Sequence, residues 1–374
     1  MSITTFECTD KYKHCFDEYT RLVTEKYGVS SESGDRETMY LASVGNCAAK
    51  KAYADLVFFR HIPTSDNYGK AFSLYLEAAD ITVDESGNSK CGGNGVPQAF
   101  AMIAYYLYNY KRDGHVKSCK TIEAIENLGN GNILERIRIS LYLSVSCLCY
   151  VKMPMAINLI GRILDEASRS DSVFDYIKED INALLVSNTS VDSDNYKDEI
   201  SGLEECRKAS DFYYNLAASN GYVYACNNLA TREADIIVGL CHEQEKEGAD
   251  LHDITASPSD EIKEHIEKYL GFLTVSAKKF EPYASNKLGL FYISGEIIDK
   301  KKEKVFFRSY CNSSLAKEYF INATLYPNKN SAWAYYNLIK FFPKDYSTNI
   351  DLLGEHMGCI KRLDPAVYDL AIED

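Results

Sequence analysis

Small and apolar residues recur along this chain at the spacing of one helical face. In the clearest unit, residues 284–295, Ala, Leu, Gly and Tyr occupy positions i, i+4, i+5 and i+8, counted from Ala284. On an α-helix these positions share one face, and small side chains there let a second helix approach closely. Gly295 stands where a glycine commonly ends a helix. The pattern predicts a helix that packs closely against a partner helix.

The same arrangement returns in weaker form elsewhere in the chain. Further copies start at Ala49, Ala99, Ala225 and Ala334. A second helical pattern accompanies them, and its best copies cover residues 68–79, 208–221 and 315–323. Between residues 132 and 188 the pattern is degenerate but still helical, with segments at 133–151, 154–168 and 173–185. The chain is therefore predicted to alternate two kinds of helix, here called A and B.

The paired patterns resemble the Sel-one-like repeat family, a relative of the tetratricopeptide repeat. The resemblance covers residues 40–342 and is strongest at 209–221 and 284–295, while only one unit keeps the full Leu-Gly pair. It implies an all-α fold, a right-handed superhelical solenoid of about six to seven antiparallel helix pairs. We expect a capping helix region at residues 1–39, with an amphipathic helix at 9–27. The solenoid is expected at 40–345 and capping helices at 346–374, with a break at Asp364-Pro365.

Three polar segments look like insertions between A and B helices. They cover residues 186–195, 243–260 and 297–312, and the last contains three consecutive lysines at 300–302. A charge run of this kind predicts a solvated loop, with a docking element as the alternative.

Composition narrows the class of partner. The net charge of −13 repels nucleic-acid phosphates and anionic lipid and suits a basic partner. We therefore expect a protein or peptide partner, with no nucleic acid and no membrane. The apolar stretch at 139–151 is too short to span a bilayer and is expected to form a buried helix. Twelve cysteines show no disulfide frame, and no secretory signal is visible, which together favour a cytoplasmic protein.

Catalytic and metal-binding patterns are weak throughout. A zinc site from Cys241, His242, His252 and His265 has no typical spacing. The glycine-dense loop at 92–95 precedes Pro97, a residue suited to a first helical turn, but it lacks the residues of a dinucleotide or P-loop site. We therefore expect no enzyme activity and no cofactor. A divergent enzyme is the least favoured hypothesis.

The resemblance also predicts where a partner would bind. At 100° per residue, positions i−1, i+2, i+6 and i+9 of each A helix face away from its B helix, and in the family that side lines the concave groove where partners are thought to bind. Besides Phe58, the expected groove residues are Asp55, Tyr105, Tyr108, Tyr224, Asn227, Tyr283, Asn286, Trp333, Tyr336 and Lys340. Several of these rings could instead pack between neighbouring repeats.

Two hypotheses follow from these expectations. The first is an adaptor or scaffold that binds a peptide or protein segment in the groove. The alternative is a regulatory or sensor subunit that binds a small ligand and controls an enzyme partner. The sequence leaves the oligomeric state open.

Overall fold

The chain divides into two compact units with the boundary after Ala217, so that the second unit covers residues 218–374. A computed structural model describes residues 47–58, 67–83, 89–91, 95–109, 132–148, 152–186, 196, 198–326 and 328–373. The expected N-terminal region at 1–39, with its helix at 9–27, lies outside the described residues, as does most of the insertion at 186–195.

Helices make up most of the described residues of the first unit. They are α1 (Cys47–Phe58), α2 (Asn67–Ala78), α3 (Pro97–Asn109), α4 (Ile133–Leu148), α5 (Pro154–Ala167), α6 (Asp171–Ile181) and α7 (Leu203–Ser219), the last of which ends two residues past the boundary. A π-helical turn, Asn182–Val186, follows α6. Two short strands, β1 (Ile81–Val83) and β2 (Ser89–Cys91), form an antiparallel hairpin in which Thr82 pairs with Lys90.

The second unit is also mainly helical. Its helices are α8 (Val223–Lys246), α9 (Leu251–Ala256), α10 (Asp260–Ala277), α11 (Pro282–Ser294), α12 (Ser313–Asn322), α13 (Ser331–Phe341), α14 (Pro343–Ser347), α15 (Ile350–Leu363) and α16 (Pro365–Glu373). Strands β3 (Glu296–Ile298) and β4 (Lys304–Phe306) pair antiparallel, with Ile297 opposite Val305, and a 3₁₀ turn, Arg308–Tyr310, follows them.

The predicted alternation of A and B helices is present in the described residues. The A helices are α1, α3, α5, α8, α11 and α13, and the B helices are α2, α4, α7, α10, α12 and α15. Close packing joins α1 to α2, α3 to α4, α8 to α10, α11 to α12 and α13 to α15. The all-α class is confirmed. The superhelical handedness concerns the arrangement of the whole chain and stays a prediction.

Glycine sets how closely the helices of a pair approach. A Cβ atom built on Gly289 of α11 would lie 2.5 Å from the ring of Phe320 on α12. At Gly161 of α5 a Cβ would lie 2.7 Å from the ring of Tyr214 on α7, and Ser210 Oγ donates to the Gly161 carbonyl at 2.8 Å. The repeat pattern has leucine before this glycine, but Gly161 follows isoleucine. The pattern therefore did not predict this second close approach.

Two of the expected solvated loops contain regular structure. In the segment at 243–260, α8 continues to Lys246 and α9 begins after Asp250, whose carboxylate caps it. The segment at 297–312 holds the β3–β4 hairpin, because Ile297, Val305 and Phe307 are buried in the core of the second unit. Both segments lie between an A helix and a B helix as expected, and the three lysines at 300–302 are exposed. The regular structure inside the segments was not predicted, because polar residues outnumber the few apolar residues that hold the chain in place.

Other elements agree with the sequence analysis more closely. The predicted helix at 139–151 corresponds to α4, in which Ile139 and Leu141 are buried. The C-terminal helix pair is confirmed, with its break at Asp364 between α15 and α16. Among the described residues, no helix combines the length and apolar character needed to cross a membrane.

Candidate interaction face

Asp55 lies inside the first helix pair. Both of its carboxylate oxygens are 2.6 Å from Nζ of Lys51, one turn earlier on α1, and the hydroxyl of Tyr75 on α2 donates to it at 2.8 Å. All three side chains are buried. The open position expected for Asp55 is therefore wrong, because an acidic side chain can remain buried only where donors of its own chain neutralise it.

The other expected groove residues of the first unit pack between neighbouring A helices. The rings of Phe58 on α1 and Tyr105 on α3 are 6.3 Å apart at nearly a right angle. The hydroxyl of Tyr108 donates to Glu166 on α5 at 2.7 Å, and the Arg162 guanidinium lies 4.8 Å from the Tyr108 ring centroid. In this unit the rings therefore pack between neighbouring repeats, which is the second of the two possibilities given by the sequence.

In the second unit, Asn227 connects two successive A helices. It is buried in the second turn of α8, and its Nδ2 donates to Oε2 of Glu281 at 2.9 Å. The same oxygen accepts the backbone N–H of Ala284 at 2.8 Å, so Glu281 caps the N-terminus of α11. A carboxylate at a helix N-terminus satisfies a free N–H group and is favoured by the helix dipole.

Asn286 makes the next connection. Its Oδ1 accepts from Nδ2 of Asn337 on α13 at 2.9 Å. The first connection joins the second turn of α8 to the N-cap residue of α11, and the second joins the middle of α11 to the middle of α13. We call this side of the three helices, with Asn227, Glu281, Asn286 and Asn337, the ladder face.

Two buried oxygen atoms of the ladder face have no hydrogen-bond partner. They are Oδ1 of Asn227 and Oε1 of Glu281, and the two side chains are only 8% and 5% exposed. Leaving a buried acceptor without a donor costs about 1–3 kcal/mol. The pair at this position therefore has more acceptors than donors.

Tyr283 and Lys287 lie one turn apart on α11. Burial raises the pKa of Tyr283, and a hydrogen bond with Thr231 on α8 partly opposes that rise. Burial lowers the pKa of Lys287, and its Nζ lies 5.8 Å from the Tyr283 ring centroid. Tyr283 thus adds a second connection between α8 and α11, while Lys287 places a partly buried ammonium group beside it.

Trp333, Tyr336 and Lys340 lie on one side of α13. Trp333 is 42% exposed and meets the buried ring of Tyr336 edge-on at 5.9 Å. Nζ of Lys340 donates to the Tyr336 hydroxyl at 2.8 Å. Tyr336 therefore supports its two neighbours, and of these three side chains only Trp333 and Lys340 are exposed.

Exposed rings gather at the N-terminal ends of these helices. Tyr224, in the first turn of α8, is 50% exposed. Phe280 and Tyr326 precede α11 and α13, are 44% and 65% exposed, and lie 5.3 Å apart. Phe280 has a positive φ of 59°, which is costly for a bulky side chain. The glycine at the corresponding place before α8, Gly221, has φ 84°.

Phe280, Tyr326 and Glu281 are not among the residues expected from the sequence. Phe280 precedes Ala284 by four residues, just as Gly221 precedes Ala225 by four. The sequence alone therefore contained a signal for Phe280, since a phenylalanine stands where the preceding A helix has a glycine.

The described part of the chain does not assemble the zinc site considered from the sequence. His265 is bonded to Glu233 at 2.6 Å, and His242 lies 3.3 Å from both Glu245 and Glu303. Cys241 is buried, which raises the pKa of its thiol to about 11. Among the described residues, the one grouping with metal-ligand spacing is fully exposed and consists of Asp250, His252 and Asp253.

The glycine-dense loop precedes a helix as expected. Helix α3 begins at Pro97, although residues 92–94 lie outside the described part. A short strand, β2, ends at Cys91 just before this loop, and no strand pattern is visible there in the sequence. A strand of three residues is too short to show the alternation that identifies strands in a sequence.

Comparison with known proteins adds little to this description. No family model matches the chain, and no curated protein matches it. One similar structure is the "crystal structure of c5321: a protective antigen present in uropathogenic Escherichia coli strains displaying an SLR fold". It is 11% identical, and the match covers 88% of this chain and 72% of that chain, with a TM-score of 0.23. At that score the likeness carries no argument about this chain.

Proposed function

We propose that this chain is a non-enzymatic adaptor that binds a segment of another protein along the ladder face of its second unit. The observation that supports the proposal is the exposure of Tyr224 and Trp333, which stand on the first turns of two A helices of one unit. Tryptophan and tyrosine are the side chains most enriched among the residues that dominate binding energy. A large aromatic ring that is half exposed still has apolar surface to bury, and burying that surface against a partner contributes favourable free energy to binding.

The neighbouring residues hold these two rings on rigid supports. Tyr224 lies one turn before Asn227, which is bonded to the next helix, and Trp333 rests on the buried ring of Tyr336. A binding residue whose support is already ordered loses less conformational freedom when the partner arrives. In this proposal, Asn227, Asn286 and Tyr336 act as supports, while Tyr224, Trp333 and Lys340 contact the partner.

The proposal is tested by affinity capture from the native cell with the tagged chain as bait, followed by mass spectrometry. The test variant is Tyr224→Ala with Trp333→Ala. Its matched control is Phe306→Ala, which removes a ring of similar exposure, 41%, from β4 of the same unit. We expect the test variant to lose a specific protein that the wild type and the control retain.

Binding of the captured protein is then measured with purified components. Loss of two central aromatic contacts should weaken it at least 30-fold, which corresponds to about 2 kcal/mol. Two results would contradict the proposal: no specific protein captured by the wild type, or a partner that the double variant retains with unchanged affinity. The alternative of a small-ligand sensor stays a prediction, and a thermal-shift screen with nucleotides and metal ions would test it.

A further inference from the structure

We infer that the ladder face takes a cationic side chain of the partner, the ammonium of a lysine or the guanidinium of an arginine, at the junction of Asn227 and Glu281. This inference rests on the function proposed above and names the chemistry of the bound segment. It depends on the balance of hydrogen-bond donors and acceptors where α8 meets α11.

That balance leaves acceptors in excess. Both hydrogen bonds to the Glu281 carboxylate, from Asn227 Nδ2 and from the backbone N–H of Ala284, end on Oε2. Oε1 of Glu281 and Oδ1 of Asn227 have no donor, although both side chains are more than nine-tenths buried. Capping α11 therefore uses Oε2 of Glu281, while the buried Oε1 has no role in the cap.

A cationic side chain suits this arrangement better than a neutral group. An ammonium carries three N–H donors and a guanidinium five, so one cation can serve both oxygens, while a single peptide N–H serves one. Hydrogen bonds between a cation and a carboxylate are also about twice as strong as bonds between neutral groups.

The surroundings of Glu281 favour a cation from outside. Tyr224 lies one turn before Asn227 on α8, and the negative charge of Glu281 adds to burial in raising the pKa of Tyr224. The face of a tyrosine ring attracts cations. The basic residue nearest in sequence, Lys279, donates instead to the carbonyl of Gly221 at 2.9 Å. The net charge of −13 attracts basic segments over longer distances.

The test uses the purified full chain and three fluorescein-labelled peptides: deca-lysine, deca-arginine and deca-glutamine. Fluorescence anisotropy at 0.15 M salt gives the Kd of each. The test variant is Glu281→Gln, whose remaining oxygen can still cap α11. The matched control is Glu267→Gln, which removes one exposed carboxylate from α10 and changes the net charge equally.

We expect at least one cationic peptide to bind the wild type more tightly than deca-glutamine does. Glu281→Gln should weaken that binding at least tenfold, whereas Glu267→Gln should weaken it less than twofold. Tyr224→Ala, at a half-exposed position, should weaken it severalfold through loss of the ring face.

Three results would overturn the inference. The first is equal weakening by the two glutamine variants, which would show that the peptides are attracted by overall charge and not by one site. The second is unchanged binding in Glu281→Gln. The third is a wild type that prefers neither cationic peptide over deca-glutamine. Any of these leaves the proposed function intact if the protein captured above still depends on Tyr224 and Trp333. Failure of that capture is a separate result, which contradicts the proposed function itself.

Discussion

Replacing Gly289 by alanine should destabilise the second unit, although alanine is the better helix former. Gly289 lies inside α11, and the added Cβ would stand 2.5 Å from Cδ1 and Cε1 of Phe320 and 2.9 Å from Cζ. Phe320 is fully buried and stacks in parallel on Phe341 at 6.3 Å, so its ring has no room to withdraw. The two helices must therefore separate or the ring must leave its preferred rotamer.

The expected size follows from two opposing effects. Overpacking a close-packed core costs about 1–3 kcal/mol. Alanine in place of glycine within a helix gains about 1 kcal/mol. Since the contacts at Gly289 are shorter than real Cβ atoms tolerate, the upper part of the cost range applies, and we expect a net loss of about 1–2 kcal/mol.

The measurement is urea unfolding followed by tryptophan fluorescence. Trp333 is the sole tryptophan of the chain and belongs to the second unit, so its signal reports on the unit that contains α11. The matched control is Gly271→Ala, in the interior of α10, where an added Cβ meets nothing within 4 Å. That variant should gain about 0.5–1 kcal/mol.

A double variant identifies the source of the loss. Phe320→Leu removes the ring that Gly289→Ala would strike, so the combined variant should be more stable than the sum of the two single changes predicts, by about 1 kcal/mol or more. The reasoning is refuted if Gly289→Ala stabilises the protein as much as Gly271→Ala does, or if the two changes add without coupling.

Three further predictions concern other parts of the molecule. Lys51→Met removes the ammonium group that lies 2.6 Å from both carboxylate oxygens of the buried Asp55, so it should cost about 3 kcal/mol, seen in calorimetry as a lower Tm for the first unit. An unchanged Tm would contradict the buried ion pair. Phe280→Gly relieves a left-handed conformation that costs a bulky residue about 1 kcal/mol, so it should preserve or raise Tm in calorimetry. A clear drop in Tm would argue against strain at this position. Burial lowers the pKa of His356 below its ordinary value of 6.5. The stability that the neutral side chain contributes is therefore present above pH 6.5 and is lost as the pH falls through the lower, folded-state pKa. The free energy of unfolding in urea, measured between pH 7.5 and 5, should depend less on pH in His356→Gln than in the wild type, and equal slopes would contradict this expectation.

The helical alternation was predictable because its signal is local. Small residues four and five positions apart define a face of one helix whatever surrounds that helix, which is why the A helices at Ala49, Ala99, Ala225, Ala284 and Ala334 were found. The helix at 154–168 was predicted, but its role as an A helix was not, because its B helix follows only after α6 and a π-helical turn. The β3–β4 hairpin was missed because three consecutive lysines hid its few buried apolar residues.

The ladder face was predictable only in part. Rotation by 100° per residue selected Asn227 and Asn286 without indicating what they touch. The partner of Asn227 is Glu281, 54 residues later in the chain, and that of Asn286 is Asn337, 51 residues later. Such pairings arise from the packing of successive repeats, and no pattern within one helix contains them. The same limit explains why Asp55 was expected in the open.

The hydrogen bonds of the ladder face also restrict whether this protein can gain or lose a repeat. In arrays built from one consensus unit, every junction is alike, so a repeat can be gained or lost without altering the others. Here the junction of α8 with α11 pairs an amide with a carboxylate, and the junction of α11 with α13 pairs two amides. Deleting α11 and α12 would place Asn227 beside a helix that begins after Asn330, with no carboxylate to receive its Nδ2. The repeats of this unit are therefore matched to their neighbours, and recombination between them should yield unstable products.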